Sequence, residues 1–164
     1  TKYFIEKFRV GKGKRTGIIW WNLLDGWPQV SDAVVDYYYN RKLAYHYIKR
    51  SQQPVCLMFD EPENGQCALV AVNDTASDQQ LSYTVRRFSD DQVVLSGTCT
   101  VPADGIVQTD RLAVSENEKE FYYIEWSAKG KTGFNHYFTN ILDIDYKVYM
   151  QALKKHGMDR FEGF

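Results

Sequence analysis

Cysteine is scarce and odd in number: Cys56, Cys67 and Cys99 stand without a CxxC pair or any metal-ligand spacing. All three fall in apolar, strand-like runs, so they read as small buried hydrophobes rather than disulfide or metal partners, and the redox compartment stays open. His46, His136 and His156 are scattered over a helix, a strand and a tail, so neither a metal site nor a cofactor is expected. No apolar run nears the roughly 18 residues needed to span a membrane, and no secretory-signal pattern occurs, so no membrane partner is expected. Neither sign of charge is in excess. With 20 Lys and Arg against 21 Asp and Glu, the net charge is −1, which excludes the basic field of a nucleic-acid binder and an acidic tail. Repeats and low-complexity tracts are absent too. Location is left open, with a periplasmic or extracellular setting preferred. The last shortage is the most pointed: between Thr1 and Asp60 the only glutamate is Glu6, inside a helical phrase.

What is present suits one well-buried domain plus an appendage in 164 residues. Aromatic residues reach 15 %, with 12 tyrosines, a composition that fits a β-sandwich and a carbohydrate-facing surface alike. Phe4, Ile5 and Phe8 share a helical face that Gly11 and Gly13 end. The apolar run Thr16 to Trp21 suits a strand covered on both faces. After a Gly-Trp-Pro turn at 26–28, Asn40 offers an N-cap for a second helix, on which Ala44, Tyr47, Ile48 and Ser51 share a face and which Pro54 closes. From there seven short segments follow between polar and Gly/Asn/Asp clusters: 55–60, 66–72, 81–88, 93–101, 106–112, 120–128 and 133–140. Leu81, Tyr83 and Val85 alternate with Ser82, Thr84 and Arg86, and Tyr122, Ile124 and Trp126 alternate with Tyr123 and Glu125. Seven half-buried strands with turns this frequent predict an immunoglobulin-like antiparallel sandwich. The phrase Tyr122-Tyr123-Ile124 resembles a tyrosine corner. A terminal helix over 145–157 should be capped by Asp145, carry a Tyr146, Tyr149, Met150 and Leu153 stripe, and stop at Gly157.

Residues 17 to 47 hold a more specific phrase: Gly17-Ile18-Ile19-Trp20-Trp21-Asn22-Leu23-Leu24-Asp25-Gly26-Trp27-Pro28, then Ser31, Val35-Asp36-Tyr37, Lys42 and Tyr45. It resembles the last barrel strand of glycoside hydrolase family 2, especially the β-mannosidase-like branch. The pattern there runs Gly-x-x-x-Trp-Gln-x-Asn-Asp-x-Trp-Pro, then Ser-Trp, Val/Ile-Asp-Tyr and Lys-x-x-Tyr. In that family a (β/α)8 barrel leads directly into β-sandwich domains. The resemblance therefore implies a mainly β chain: 1–53 as the helix–strand–helix remnant of the barrel, and 54–164 as the sandwich with its C-terminal helix. A chain that opens on Thr1 within a helical phrase is expected to be a C-terminal fragment. Asn22 stands where Gln is usual, Leu24 where Asn is usual, and Asp32 where mannosidases carry Trp, so the likeness carries the family and not the sugar.

Retaining glycosidases use two carboxyl groups about 5–5.5 Å apart. In the resembled family both are glutamates, and neither motif can be placed on Glu6, which reads as a solvated helix charge. No catalytic residue is therefore expected in this chain. By resemblance Trp21 is the floor of the sugar subsite in the intact parent, with Asn22 and Asp25 as further substrate-side candidates, while Trp20 reads as packing. Asp25, Asp32 and Asp36 fit no metal pattern, and hydrogen bonds that stabilise the loop are the preferred role of Asp25 and Asp36. Asn73-Asp74-Thr75 reads as a turn and is also a glycosylation sequon. The partner implied is carbohydrate, in the intact parent. An accessory, structural sandwich is preferred to a carbohydrate-binding module, which would need Tyr123, Tyr137 and Phe138 as an outward aromatic strip. Self-association through the exposed barrel remnant is the remaining expectation.

Overall fold

A computed structural model describes residues 1–115, 117–139 and 145–157. Helix α1 (Lys2–Val10) and helix α2 (Leu43–Ser51) precede seven strands: β1 (Val55–Phe59), β2 (Gln66–Asn73), β3 (Gln79–Arg87), β4 (Val93–Val101), β5 (Ile106–Ala113), β6 (Phe121–Ala128) and β7 (Lys131–Phe138). Helix α3 (Tyr146–Lys155) follows. All seven predicted strands form, with ends shifted by a few residues; the predicted end at Asn140 lies outside the described residues. They make a sandwich of two antiparallel sheets, three strands in the order β1-β2-β5 and four in the order β4-β3-β6-β7. Local turn chemistry sets the tight hairpins. Asn64-Gly65 and Lys129-Gly130 both take positive φ at both positions, the two-residue turn whose twist matches the flanking strands.

The core lies between the sheets and follows the alternation read from the sequence. Leu81, Tyr83 and Val85 point inward from β3, and Tyr122, Ile124 and Trp126 from β6, against Leu57, Leu69, Val72 and their neighbours. Cys56 and Cys67 are fully buried there and Cys99 is half-buried, all three as free thiols. Tyr122 Oη donates to the Glu118 carboxylate at 2.6 Å, so the bond of this corner runs to a side chain.

The outer face of the four-stranded sheet is covered in part by helix α3. Tyr123 alternates with the core residues, and a binding module would need it on an outward strip with Tyr137 and Phe138, yet it is fully buried. Helix α3 and Tyr47 of α2 cover that face, forming a second apolar layer with Phe121, Ala152 and Leu153. Tyr123 Oη donates to the Ala152 carbonyl at 3.2 Å. Phe138 packs against Tyr149, and Tyr137 against Phe59. A flat exposed strip of these three aromatics therefore does not exist. Asp145 caps α3 as predicted, accepting from Lys147 N at 2.7 Å, whereas Tyr146 of the predicted stripe is exposed.

Three further expectations are corrected. Residues 16–21 do not form a strand: among the described residues no neighbouring strand supplies a ladder, and this region holds only isolated bridges such as Leu24 with Val35. Asn40 does not cap α2, whose N-cap is Lys42; Asn40 instead bonds to Asp36. Glu6 is not a solvated charge but is buried, held by Lys2 at 2.6 Å and by the Asn135 amide of β7 at 2.7 Å. The sandwich thus reaches into α1. Lys7 pairs with Asp60 and Glu61, Arg9 with Asp74, and Lys12 with Asp74 and Asp104. Asn73 uses its amide nitrogen on the carbonyls of Ser77, Val101 and Pro102 and is fully buried, so the turn reading of the sequon holds and the folded chain offers no glycan acceptor there.

Candidate functional site

The segment between α1 and α2 is built around one buried carboxylate. Asp25 is only 2 % exposed. One of its oxygens accepts from the Ser31 hydroxyl and, at 3.3 Å, from Gln29; the other accepts from Lys42 Nζ at 2.9 Å. Lys42 also donates to the Ser31 carbonyl, closing the loop on itself. The Ser31 hydroxyl, then Lys42, hold the Asp25 carboxyl below its ordinary range against the opposing effect of burial. Backbone bonds complete the frame: Val34 N to Asn22 O at 3.2 Å, Val35 N to Leu23 O at 2.9 Å and Asp25 N to Val35 O at 3.1 Å. Asp36 closes the next turn, accepting from the backbone N–H groups of Tyr38 and Asn40. The Asn40 side chain is the main cause of its depressed pKa. Both aspartates thus have the loop-stabilising partners expected of them.

Within this frame the apolar run sorts by alternation even without a ladder. Ile18 and Trp20 turn in, onto the cluster of Ile5, Val34, Val35 and Ile48. Ile19 and Trp21 turn out, at 99 % and 80 % exposure. The peptide bond between Trp21 and Asn22 is cis. Asn22 is half-buried, and its Oδ1 atom is sealed without a hydrogen-bond partner. Of the three sequence-predicted site residues, the structure presents Trp21 openly, leaves Asn22 partly accessible and commits Asp25 to the loop's interior. Sequence reasoning did not single out Trp27, which is also exposed and is steadied by its Nε1 donating to Gln29 at 2.7 Å. Its Gly-Trp-Pro context marked a turn and gave no sign of an outward indole. Chemically, the loop offers indole faces that can stack on apolar C–H surfaces, with no side chain poised as acid or base.

His136 and His156 serve the aromatic layer under α3. The His136 ring lies parallel to Phe121, and the His156 ring against Tyr123 and Phe134. Among the described residues no group of three His, Cys, Asp or Glu could hold a metal ion, and no helix is long and apolar enough to cross a membrane. Burial above all, then the charges of Lys2 and Arg50, hold His136 well below the ordinary imidazole pKa. Below about pH 6.5 the unfolded chain therefore binds a proton that the fold refuses, and stability is lost as pH falls, by up to about 1.4 kcal/mol per pH unit. Asp25, shifted the opposite way, loses its contribution only below its unfolded pKa of about 3.9. We expect the urea midpoint to drop between about pH 7.5 and 5.5, and His136→Phe to flatten that slope. An unchanged slope in the variant would show that His136 is not the group responsible.

No family model matches the chain, and no curated protein matches it. Solved structures do. A β-D-mannosidase from Dictyoglomus thermophilum is similar with a TM-score of 0.70 at 26 % identity, over 84 % of this chain and 18 % of that one. An exo-chitosanase from Amycolatopsis orientalis is similar in fold with a TM-score of 0.56 at 19 % identity, over 82 % of this chain and 17 % of its own. The chain therefore spans less than a fifth of either protein. Residues 54–164 are 111 of 164, or 68 % of the chain, so a match over 84 % takes in part of 1–53 as well as the sandwich.

Proposed function

We propose, from a chain similar over most of its length to a β-mannosidase-like member of glycoside hydrolase family 2, that it is the C-terminal part of a retaining β-glycosidase acting on carbohydrate. In this reading residues 54–164 are a structural accessory domain, and 1–53 are the end of the catalytic barrel. The observation that carries it is the outward Trp21 on a loop locked by Asp25 and Lys42. Its indole supplies the apolar floor on which a pyranose ring rests, leaving the sugar hydroxyls free for hydrogen bonds. Asn22 lies beside it, and Asp25 acts through the loop rather than on the sugar. The burial of Tyr123 and the packing of Tyr137 and Phe138 favour the accessory role over a binding module.

The catalytic pair belongs to the rest of the parent. Glu6 has both oxygens engaged by Lys2 and Asn135, and a retaining mechanism requires a second carboxyl about 5–5.5 Å away. The 164-residue chain alone should not hydrolyse nitrophenyl β-mannoside, β-galactoside or β-glucuronide above background. Turnover of any of these that disappears on substituting a residue of this chain would overturn the proposal.

A further inference from the structure

Between α2 and the outer face of the four-stranded sheet runs a groove of about 800 Å3. One wall is basic, with Arg41, Lys49 and Arg50. The other is a row of hydroxyls set by strand register: Ser82 opposite Ser127 on β6, and Ser127 opposite Thr132 on β7. Strand spacing of about 4.8 Å puts these three hydroxyls in a line roughly 10 Å long. Ser82 and Ser127 already share a hydrogen bond at 2.7 Å, and among the described residues lining the groove the one carboxylate is Glu125.

Arg50 is the informative residue. Its guanidinium stacks on Tyr47, 4.8 Å from the ring centroid, while Nε and Nη2 are buried with no acceptor among the described residues. At Arg87 the same edge is filled. Arg87 grips the two oxygens of Asp90 through Nε at 3.1 Å and Nη2 at 2.8 Å. A guanidinium edge held in place and lacking its acceptor is the form that receives a planar carboxylate through two parallel bonds.

We propose that this groove binds a carboxylate-bearing saccharide, with Arg50 holding the carboxylate, Lys49 adding charge at the rim, and the Ser82–Ser127–Thr132 row bonding sugar hydroxyls. The saccharide half of the assignment rests on the glycosidase reading; the carboxylate half rests on Arg50 alone. The site is distinct from Trp21, which lies on the loop between α1 and α2.

The test is a titration of the 164-residue chain with trigalacturonate, with neutral mannotriose and inorganic phosphate in parallel, following the amide and arginine Nε resonances. Trigalacturonate should saturate, shifting Arg50 Nε and the Ser127 and Thr132 amides, and should weaken with added salt. Arg50→Gln should weaken it by about tenfold or more. If that variant melts below the working temperature, Lys49→Glu, on an exposed position of α2, should weaken binding in the same direction. Mannotriose binding as tightly overturns the carboxylate, and phosphate binding as tightly overturns the saccharide. No shift at millimolar trigalacturonate, or binding indifferent to both substitutions, overturns the site. Hydrolysis of nitrophenyl glycosides by this chain would defeat the earlier proposal and leave this titration to be decided on its own.

Discussion

Lysine at Ile19 and Val30 should shift any dimer of this chain to monomer. Both side chains stand fully in water, and Leu23, Trp21 and Trp27 around them are each more than half exposed. Exposed apolar side chains gathered within residues 19–30 of a folded chain favour association. Burying one branched aliphatic side chain is worth about 1.5–3 kcal/mol. In a twofold dimer each position counts twice, so losing both should raise the dissociation constant by more than about a hundredfold. The proposal is that this face pairs with a second copy when the chain stands alone. Trp20, next to Ile19 in the same run, packs inward beside Ile5, Val34 and Ile48. A polar residue there would loosen the segment itself, so Val30 replaces it in the test. Sedimentation velocity across a concentration series reads the result. An unsubstituted chain that stays monomeric at every concentration sinks the idea.

Gly133→Ala should destabilise the sandwich by about 3 kcal/mol, at the upper end of the overpacking range. Gly133 faces Trp126 across the β6–β7 pair. A Cβ at this position would lie 2.1 Å from Cε2 of the indole and 2.3 Å from Cζ2 and Nε1. The ring is rigid and only 5 % exposed, so either β7 shifts or the indole leaves its seat. Gly97 makes the control. Its Cβ would approach the hydroxyl end of Tyr83 at 2.8 Å, and the tip of that side chain can yield, at about 1 kcal/mol. Urea unfolding followed by tryptophan fluorescence separates the two. Gly133→Ala should lower the midpoint strongly with a red-shifted native spectrum, and Gly97→Ala only slightly. Equal midpoints for the two variants would mean that Trp126 is not clamped by β7.

What sequence could read was what a short stretch of chain decides for itself. The alternation of Leu81, Tyr83 and Val85 has one physical outcome, because a strand with one apolar face must bury it. Seven such stretches therefore placed the sandwich core correctly. The Asp145 cap depended on residues within three positions of it. The phrase from Gly17 to Pro28 was specific enough to carry the family likeness, and the Asp25 and Asp36 loop bonds were legible from their turn context.

The rest depended on what lies across the fold. Tyr123 reads as outward on β6, and only the arrival of α3 over the sheet buries it. Glu6 reads as a solvated charge on its helix, and only Asn135, brought from 129 residues away, makes it an interior group. The run from Thr16 to Trp21 has a strand's composition, but a strand exists only with a partner to bond. Here the run sorts by which side chains meet α1 and α2. The groove at Arg50 has no signature in the chain at all, because its basic wall and its hydroxyl row come from segments that meet only when α2 lies on the sheet. Sequence by itself determined the strands, their inward faces and the family likeness, since these rest on local periodicity and one contiguous phrase. Tertiary structure alone decided which outward residues stay outward, because burial is a property of what packs against a residue and not of the residue.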